Sequence, residues 1–276
     1  MDELARQNCI EVEDLTLSYG TDVILSALSL PIPSGQITVL AGPNGCGKST
    51  LLRAIRRLHA PQSGHVLLDG ADISTINSKA LGRRIGLLAQ SPSAPPDMSV
   101  EELVRLGRYP HQSMMQPWSA RDDEAVRAAM EGTGVTALRY RRIGSLSGGQ
   151  LQRAWIAMVL AQETDVICLD EPVNHLDMAH QLDCLELVSE LNRAQGRTIV
   201  IVLHDLNLAA RYADHLVFVA GGAVRARGTP DALMRSDLIA EVFGVEVEIM
   251  TDPVHHRPIC IPFRRRGSAK HQEGIR

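Results

Sequence analysis

The sequence predicts an α/β fold: a mainly parallel sheet flanked by helices, with a small antiparallel β unit at the amino-terminal end and an α-helical insertion. Three observations predict it. Apolar, strand-length runs recur at 36–41, 84–89, 165–169 and 197–203, separated by glycine turns and long helical patterns, and alternation of that kind builds parallel sheets covered by helices. Upstream, Ile10, Val12, Leu15 and Leu17, then Leu28, Leu30 and Ile32, read as short strands before the turn Pro33-Ser34-Gly35, suited to antiparallel pairing. Between Gln90 and Gln150 no strand pattern occurs, and a Pro-rich turn at 92–96 leads instead into helical patterns at 99–107 and 121–131 with acidic first turns.

After Gly221-Gly222 the pattern predicts short helical pieces, then a strand over Val245 to Ile249, and a polar tail from Gly267 of the composition that stays disordered. The expected division is a main domain over 8–243 with the helical part inserted at about 91–160, a short β extension over 244–266, and the tail over 267–276. With 45% apolar residues in 276, the chain can bury a sizeable core. Its 28 basic and 32 acidic residues leave a net charge of -4, which supplies no field for nucleic acid or an anionic membrane. Five cysteines without a C-x-x-C pair argue against a disulfide framework and a zinc ribbon and fit a reducing cytosol. Met1 to Cys9 carries Asp2, Glu3 and Arg6 and no apolar run, so no secretory signal is expected there. Apolar stretches such as Thr198 to Leu203 fall well short of the roughly 20 residues that span a bilayer. Any membrane role therefore requires another chain.

The first chemical motif is Gly42-Pro43-Asn44-Gly45-Cys46-Gly47-Lys48-Ser49-Thr50, which fits G-x-x-x-x-G-K-[ST]. It follows an apolar strand and opens a helix, the context in which such a loop turns backbone N–H groups toward phosphate oxygens. Lys48 is placed to reach the outer phosphates, and the Ser49 hydroxyl to ligate Mg²⁺. Asp170 and Glu171 close the apolar run Val166 to Leu169. Successive strand residues point to opposite sides, which gives the two carboxylates different tasks: Asp170 to orient Mg²⁺ and its waters, Glu171 to accept a proton from, or orient, the water that attacks the γ-phosphate. The bland reading of this pair is a solvated acidic turn.

The second motif is Leu146-Ser147-Gly148-Gly149-Gln150, at the head of the helical run Leu151 to Ala161. A serine and two glycines that open a helix offer a hydroxyl and backbone N–H groups to an anion, with the helix dipole aiding. At these residues the sequence resembles the ATP-binding cassette family, across nearly its whole length. The resemblance implies a P-loop NTPase core of the RecA-like kind, ATP and Mg²⁺ as ligands, and a head-to-tail dimer in which Ser147, Gly148, Gly149 and Gln150 face the γ-phosphate held by a second cassette subunit. It further implies that Tyr19 stacks on adenine, that Gln90 is the Q-loop glutamine touching Mg²⁺ and the water, and that His204 is the switch histidine at the γ-phosphate. Asp177, in Asn174-His175-Leu176-Asp177, matches the aspartate that communicates across the dimer, although Asn174 and His175 depart from the commoner Ser-Ala pair. His175 with His180, and His255 with His256, lack a third ligand at zinc spacing. The arginines at 139–142 and 264–266 read as solvated charge.

Within that family several stretches look like the importers of iron(III)-siderophores, haem and cobalamin, the ferric-siderophore branch above all. These are Ser99 to Val104, Gly107-Arg108-Tyr109-Pro110-His111, Gln152 to Met158, and Asn174 to Gln181. The resemblance implies an ATPase that energises import from the cytoplasmic face of the membrane, with two transmembrane permease subunits docked on residues 91–118 and a substrate-binding protein as an indirect partner. Pro95, Pro96, Met98, Tyr109 and Trp118 are the expected exposed apolar residues of that docking surface. A soluble cassette ATPase acting on DNA or ribosomes would carry a long coiled coil or two cassettes in one chain, and neither is present. A lone P-loop kinase or GTPase would have no use for the motif at 146–150. Haem, cobalamin or a divalent metal are the alternative cargoes.

Overall fold

A computed structural model of the chain describes residues 8–112, 118–174 and 176–265. The expectations placed on His175, Arg266 and the tail 267–276, and the part of the docking stretch at 113–117, lie outside the described residues. Two long strands, β1 (Asn8–Tyr19) and β2 (Asp22–Pro33), form an antiparallel hairpin, and after β3 (Ile37–Ala41) and α1 (Lys48–Ile55) the chain adds β4 (Ser63–Leu68) and β5 (Ala71–Asp72) to it. The short helix α2 (Ser78–Gly82) then leads into β6 (Ile85–Leu88). The helical part follows as α3 (Val100–Arg105), a 3₁₀ segment over Leu106–His111, α4 (Ala120–Gly132) and α5 (Gly148–Leu160). The second half runs β7 (Val166–Asp170), α6 (Met178–Gln195), β8 (Thr198–Val202), α7 (Leu206–Tyr212), β9 (His215–Ala220), β10 (Ala223–Gly228), α8 (Pro230–Leu233) and α9 (Ser236–Phe243). A hairpin of β11 (Val245–Thr251) and β12 (Pro258–Arg265) comes last.

The main sheet has the order β10-β9-β3-β8-β7-β6, parallel except for β10. The period of two along its strands divides them between two cores. Val39, Leu169 and Ile201 pack with Trp155, Leu185 and Ala209 of the helices, while Leu40, Cys168 and Val200 pack on the other side with Leu51, Leu52 and the antiparallel sheet residues Leu15, Leu17 and Leu28. Both faces of the parallel strands are therefore covered, which is why those strands read as continuous apolar runs.

Three expectations need correction. The first element after Gly221-Gly222 is a strand, β10, and the expected short helices α8 and α9 follow it: the glycines are the tip of a hairpin whose other arm, with Leu216 to Val219 buried, is a central strand beside β3. The helix expected over 99–107 stops at Arg105 and tightens into the 3₁₀ segment that contains Pro110, whose ring and missing N–H are incompatible with a continuing α-helix. Met98 and Trp118 are not exposed docking residues; both are partly buried against the helical core, and the Trp118 ring lies under the Arg105 guanidinium at 3.7 Å. Pro95, Pro96 and Tyr109 are exposed as expected. Among the described residues no helix is long and apolar enough to cross a membrane.

Candidate functional site

The loop between β3 and α1 lies at the carboxyl edge of the parallel sheet, where open α/β sheets place their ligands. Gly47 adopts φ +102°, and a Cβ there would lie 2.5 Å from the Leu25 side chain, so only glycine lets the loop press this closely on β2. No side chain caps α1 at Gly47, which leaves the first N–H groups of the helix and its dipole directed at the loop. Lys48 is buried, and its Nζ donates to the carbonyls of Gly42 at 2.8 Å and Pro43 at 2.9 Å. Its charge is thus held at the rim of the loop.

Asp170 ends β7 beside it and accepts a 2.7 Å hydrogen bond from the Ser49 hydroxyl. Burial pushes its carboxyl above the ordinary aspartate range; the Ser49 bond opposes that, and the neighbouring charge of Glu171 adds to it. A carboxylate with a raised proton affinity, paired to a serine hydroxyl, suits a hard divalent cation, which relieves the repulsion. Among the described residues no group of three or more histidines, cysteines or carboxylates could hold a metal by itself. The donor set fits Mg²⁺, which takes one or two protein ligands and completes its shell with phosphates and water.

Glu171 is separated from Asp170 by a different device from the one the sequence suggests. The strand has ended, and Glu171 stands at φ +52° in the left-handed region, a conformation that costs a non-glycine residue about 1–3 kcal/mol. That turn buries its carboxylate at 8% exposure and aims it into a cleft of about 650 Å³ lined by residues 44–50, Gln90, His204 and Ile24. Gln90 Nε2 donates to Glu171 Oε2 at 2.5 Å, Asn174 Nδ2 donates to the same oxygen, and His204 Nε2 lies 2.5 Å from Oε1. The cleft thus gathers residues 44–50, Gln90, Glu171 and His204 around one space, with Asp170 joined to it through Ser49.

The remaining residues expected at the site lie elsewhere on this chain. Tyr19 sits at the tip of the β1–β2 hairpin, half exposed, its ring tilted against His59 at 4.6 Å. Ser147 caps α5 in a reciprocal box with Gln150 (3.3 Å and 3.1 Å), and Ser147 and Gly148 face solvent. Gly149 is buried for another reason: a Cβ there would be 2.1 Å from the His180 ring. His180 in turn holds Asp177, the cap of α6, through its backbone N–H at 2.9 Å and Nδ1 at 2.8 Å. The imidazole therefore bridges the starts of α5 and α6. Two cleft residues had escaped the sequence reading. Ile24 carries no motif, and Asn174 stood out only as a departure from the usual pattern.

Residues 25–174 match the model of the ABC transporter family. The chain is 51% identical over 253 residues to the ferric enterobactin transport ATP-binding protein FepC of Escherichia coli K12, covering 92% of this chain and 93% of FepC. It is 48% identical over 256 residues to the petrobactin import ATP-binding protein FpuD of Bacillus anthracis, covering 93% and 94%. Among solved structures it superposes on an inward-facing ABC transporter of the metal-chelate type with a TM-score of 0.81 and 26% identity, over 93% of this chain and 98% of that one. With the phosphate loop, the buried carboxylates and the capped Leu146 to Gln150 motif, these likenesses show that the chain belongs to the ABC transporter family, as one of its ATP-binding ATPase subunits.

Proposed function

We propose that this chain is the motor of an importer for an iron(III)-siderophore complex, working as two copies on the cytoplasmic face of the membrane against two transmembrane permease subunits. The observation that carries the ATPase chemistry is the Glu171 carboxylate, fixed by Gln90, Asn174 and His204 at the mouth of the Lys48 loop. Residues 42–50 bind the triphosphate through backbone N–H groups and the Lys48 ammonium, and Tyr19 stacks on the adenine. Ser49 and Asp170, with Gln90 beside them, would hold Mg²⁺, which would supply charge neutralisation at the triphosphate.

Glu171 takes a proton from the attacking water as the water oxygen bonds to the γ-phosphorus. The bond from that phosphorus to the β–γ bridging oxygen breaks, and ADP leaves. His204 orients both the carboxylate and the γ-phosphate. Ser147, Gly148, Gly149 and Gln150 meet the γ-phosphate of a second copy at the start of α5, where Ser147 and Gly148 face solvent, with Asp177 beside it at the joint. Closure of the pair on two ATP molecules then moves the permease helices docked on residues 91–118. A substrate-binding protein delivers the chelate from the other side.

The cassette does not touch the solute, so cargo rests on kinship, and the two relatives named above carry ferric enterobactin and petrobactin in their names. The test is ATPase activity in membranes with a siderophore permease and its loaded binding protein. Stimulation by ferric chelate that is abolished in Lys48→Ala and Glu171→Gln supports the whole reading. Lys48-dependent hydrolysis that couples only to haem, cobalamin or a metal-ion permease removes the siderophore cargo, and absence of ATP binding removes the reading altogether.

A further inference from the structure

We infer that Asn174 is a positioning residue for hydrolysis: with Gln90 it fills Oε2 of Glu171 and so reserves Oε1, beside His204, for the attacking water. This rests on the ATPase reading of the same cleft and deepens it. An ionised carboxylate has about four acceptor positions, two on each oxygen. Gln90 Nε2 and Asn174 Nδ2 both donate to Oε2, which saturates it, while among the described residues Oε1 has His204 Nε2 as its one partner, which leaves it an acceptor position to spare. The amide nitrogens must be the atoms that face the carboxylate, because an ionised carboxylate only accepts.

The local backbone shows how Asn174 reaches this place. Asn174 N donates to the carbonyl of Glu171 at 3.2 Å, closing a four-residue turn with Pro172 at its second position. Proline presets the φ of that position, so the turn is rigid and Asn174 returns to the residue that begins it. Glu171 is thereby held twice by one neighbour, at its carbonyl and at its carboxylate. A serine or threonine in this place has a shorter reach and one donor hydrogen. An alanine leaves Oε2 held by Gln90 alone and so loosens the carboxylate, and a misplaced base costs rate rather than binding.

The experiment uses the full chain and measures kcat and KM for MgATP, nucleotide binding and thermal melting. Variants are Asn174→Ala and Asn174→Asp, each alone and in Glu171→Gln, with Lys48→Ala as control. Asn174→Ala is expected to lower kcat ~10- to 100-fold with KM changed less than about twofold. Asn174→Asp, of equal size and able to keep the turn, lowers kcat further by setting a second carboxylate against Glu171. In Glu171→Gln the alanine change is expected to alter the residual rate less than about twofold, because residues that act as a unit are not additive. A kcat within about threefold of the original in both single variants, a KM effect alone, or an undiminished further loss in Glu171→Gln overturns the inference. Should Asn174→Ala fail to fold, the aspartate variant decides. Loss of hydrolysis in the original chain, or no loss in Lys48→Ala, condemns the ATPase reading instead.

Discussion

Replacing Arg108 by leucine removes a buried tie that holds the elements of the helical part together. Arg108 is 2% exposed; its Nε donates to Asp122 Oδ1 at 2.8 Å, and its Nη1 donates to the Ala161 carbonyl and to Glu163 Oε2, both at 2.7 Å. One guanidinium thus joins the 3₁₀ segment, α4 and the end of α5. Without it, Asp122 and the Ala161 carbonyl lose a buried donor, and removing one partner of a buried pair costs about 3–5 kcal/mol. Asp122 keeps the Ser119 hydroxyl and N–H, which argues for the lower end, ~3 kcal/mol. At about 2–4 °C per kcal/mol for a chain of this size, the melting midpoint falls by ~6–12 °C. The assay is thermal unfolding followed by circular dichroism, run across pH. Burial raises the Asp122 carboxyl, but the Ser119 and Arg108 hydrogen bonds outweigh it and hold it at about 2. A depressed carboxylate contributes stability that is complete above the ordinary aspartate range and is lost as pH falls through the folded value. The gap between the original chain and the variant is therefore expected to be full at neutral pH and to narrow between about 4 and about 2. A midpoint lowered by less than about 2 °C, or a gap that widens in acid, refutes the reasoning.

Gly149→Ala places a methyl group 2.1 Å from the His180 ring, so the imidazole must leave its place between the starts of α5 and α6. ATPase activity and ATP-driven pairing of copies, followed by size exclusion, are expected to fall together, and an alanine variant with full activity refutes the contact. Cys168 and Cys184 are buried, and burial pushes both thiols up to about 12. The reactive species is the thiolate, so iodoacetamide is expected to leave both unmodified in the folded chain and to label them in guanidinium. Mass spectrometry distinguishes these outcomes, and rapid native labelling of Cys168 would contradict the packing.

The residues that mark the importer branch have a structural meaning in this chain. In Gly107-Arg108-Tyr109-Pro110-His111, Arg108 is the buried tie, Pro110 O accepts from Arg83 Nε at 2.9 Å, and His111 Nε2 lies 2.8 Å from the Gln162 carbonyl. Tyr109 alone among them is strongly exposed, at 68%. These five residues therefore mostly fix how the helical part is seated, with Tyr109 left at the surface.

The sequence by itself determined what depends on neighbours along the chain. The Gly42 to Thr50 loop, the helix start at Ser147, the covered strands at 37–41, 166–170 and 198–202, and the antiparallel pair before them all follow from local backbone chemistry and from hydrophobic period. The tertiary structure alone decided what depends on strands meeting across the chain. His215 to Ala220 became a central strand only because it pairs with β3, and its short apolar run carries no period that separates a buried strand from a helix. Gln90, Glu171, Asn174 and His204 come from three segments that the parallel order β8-β7-β6 sets side by side. Asn174 could be read as chemistry only once Glu171 was seen to leave its strand at φ +52° and turn back toward it, because side-chain direction at a turn is set by φ and ψ, which residue spacing does not encode.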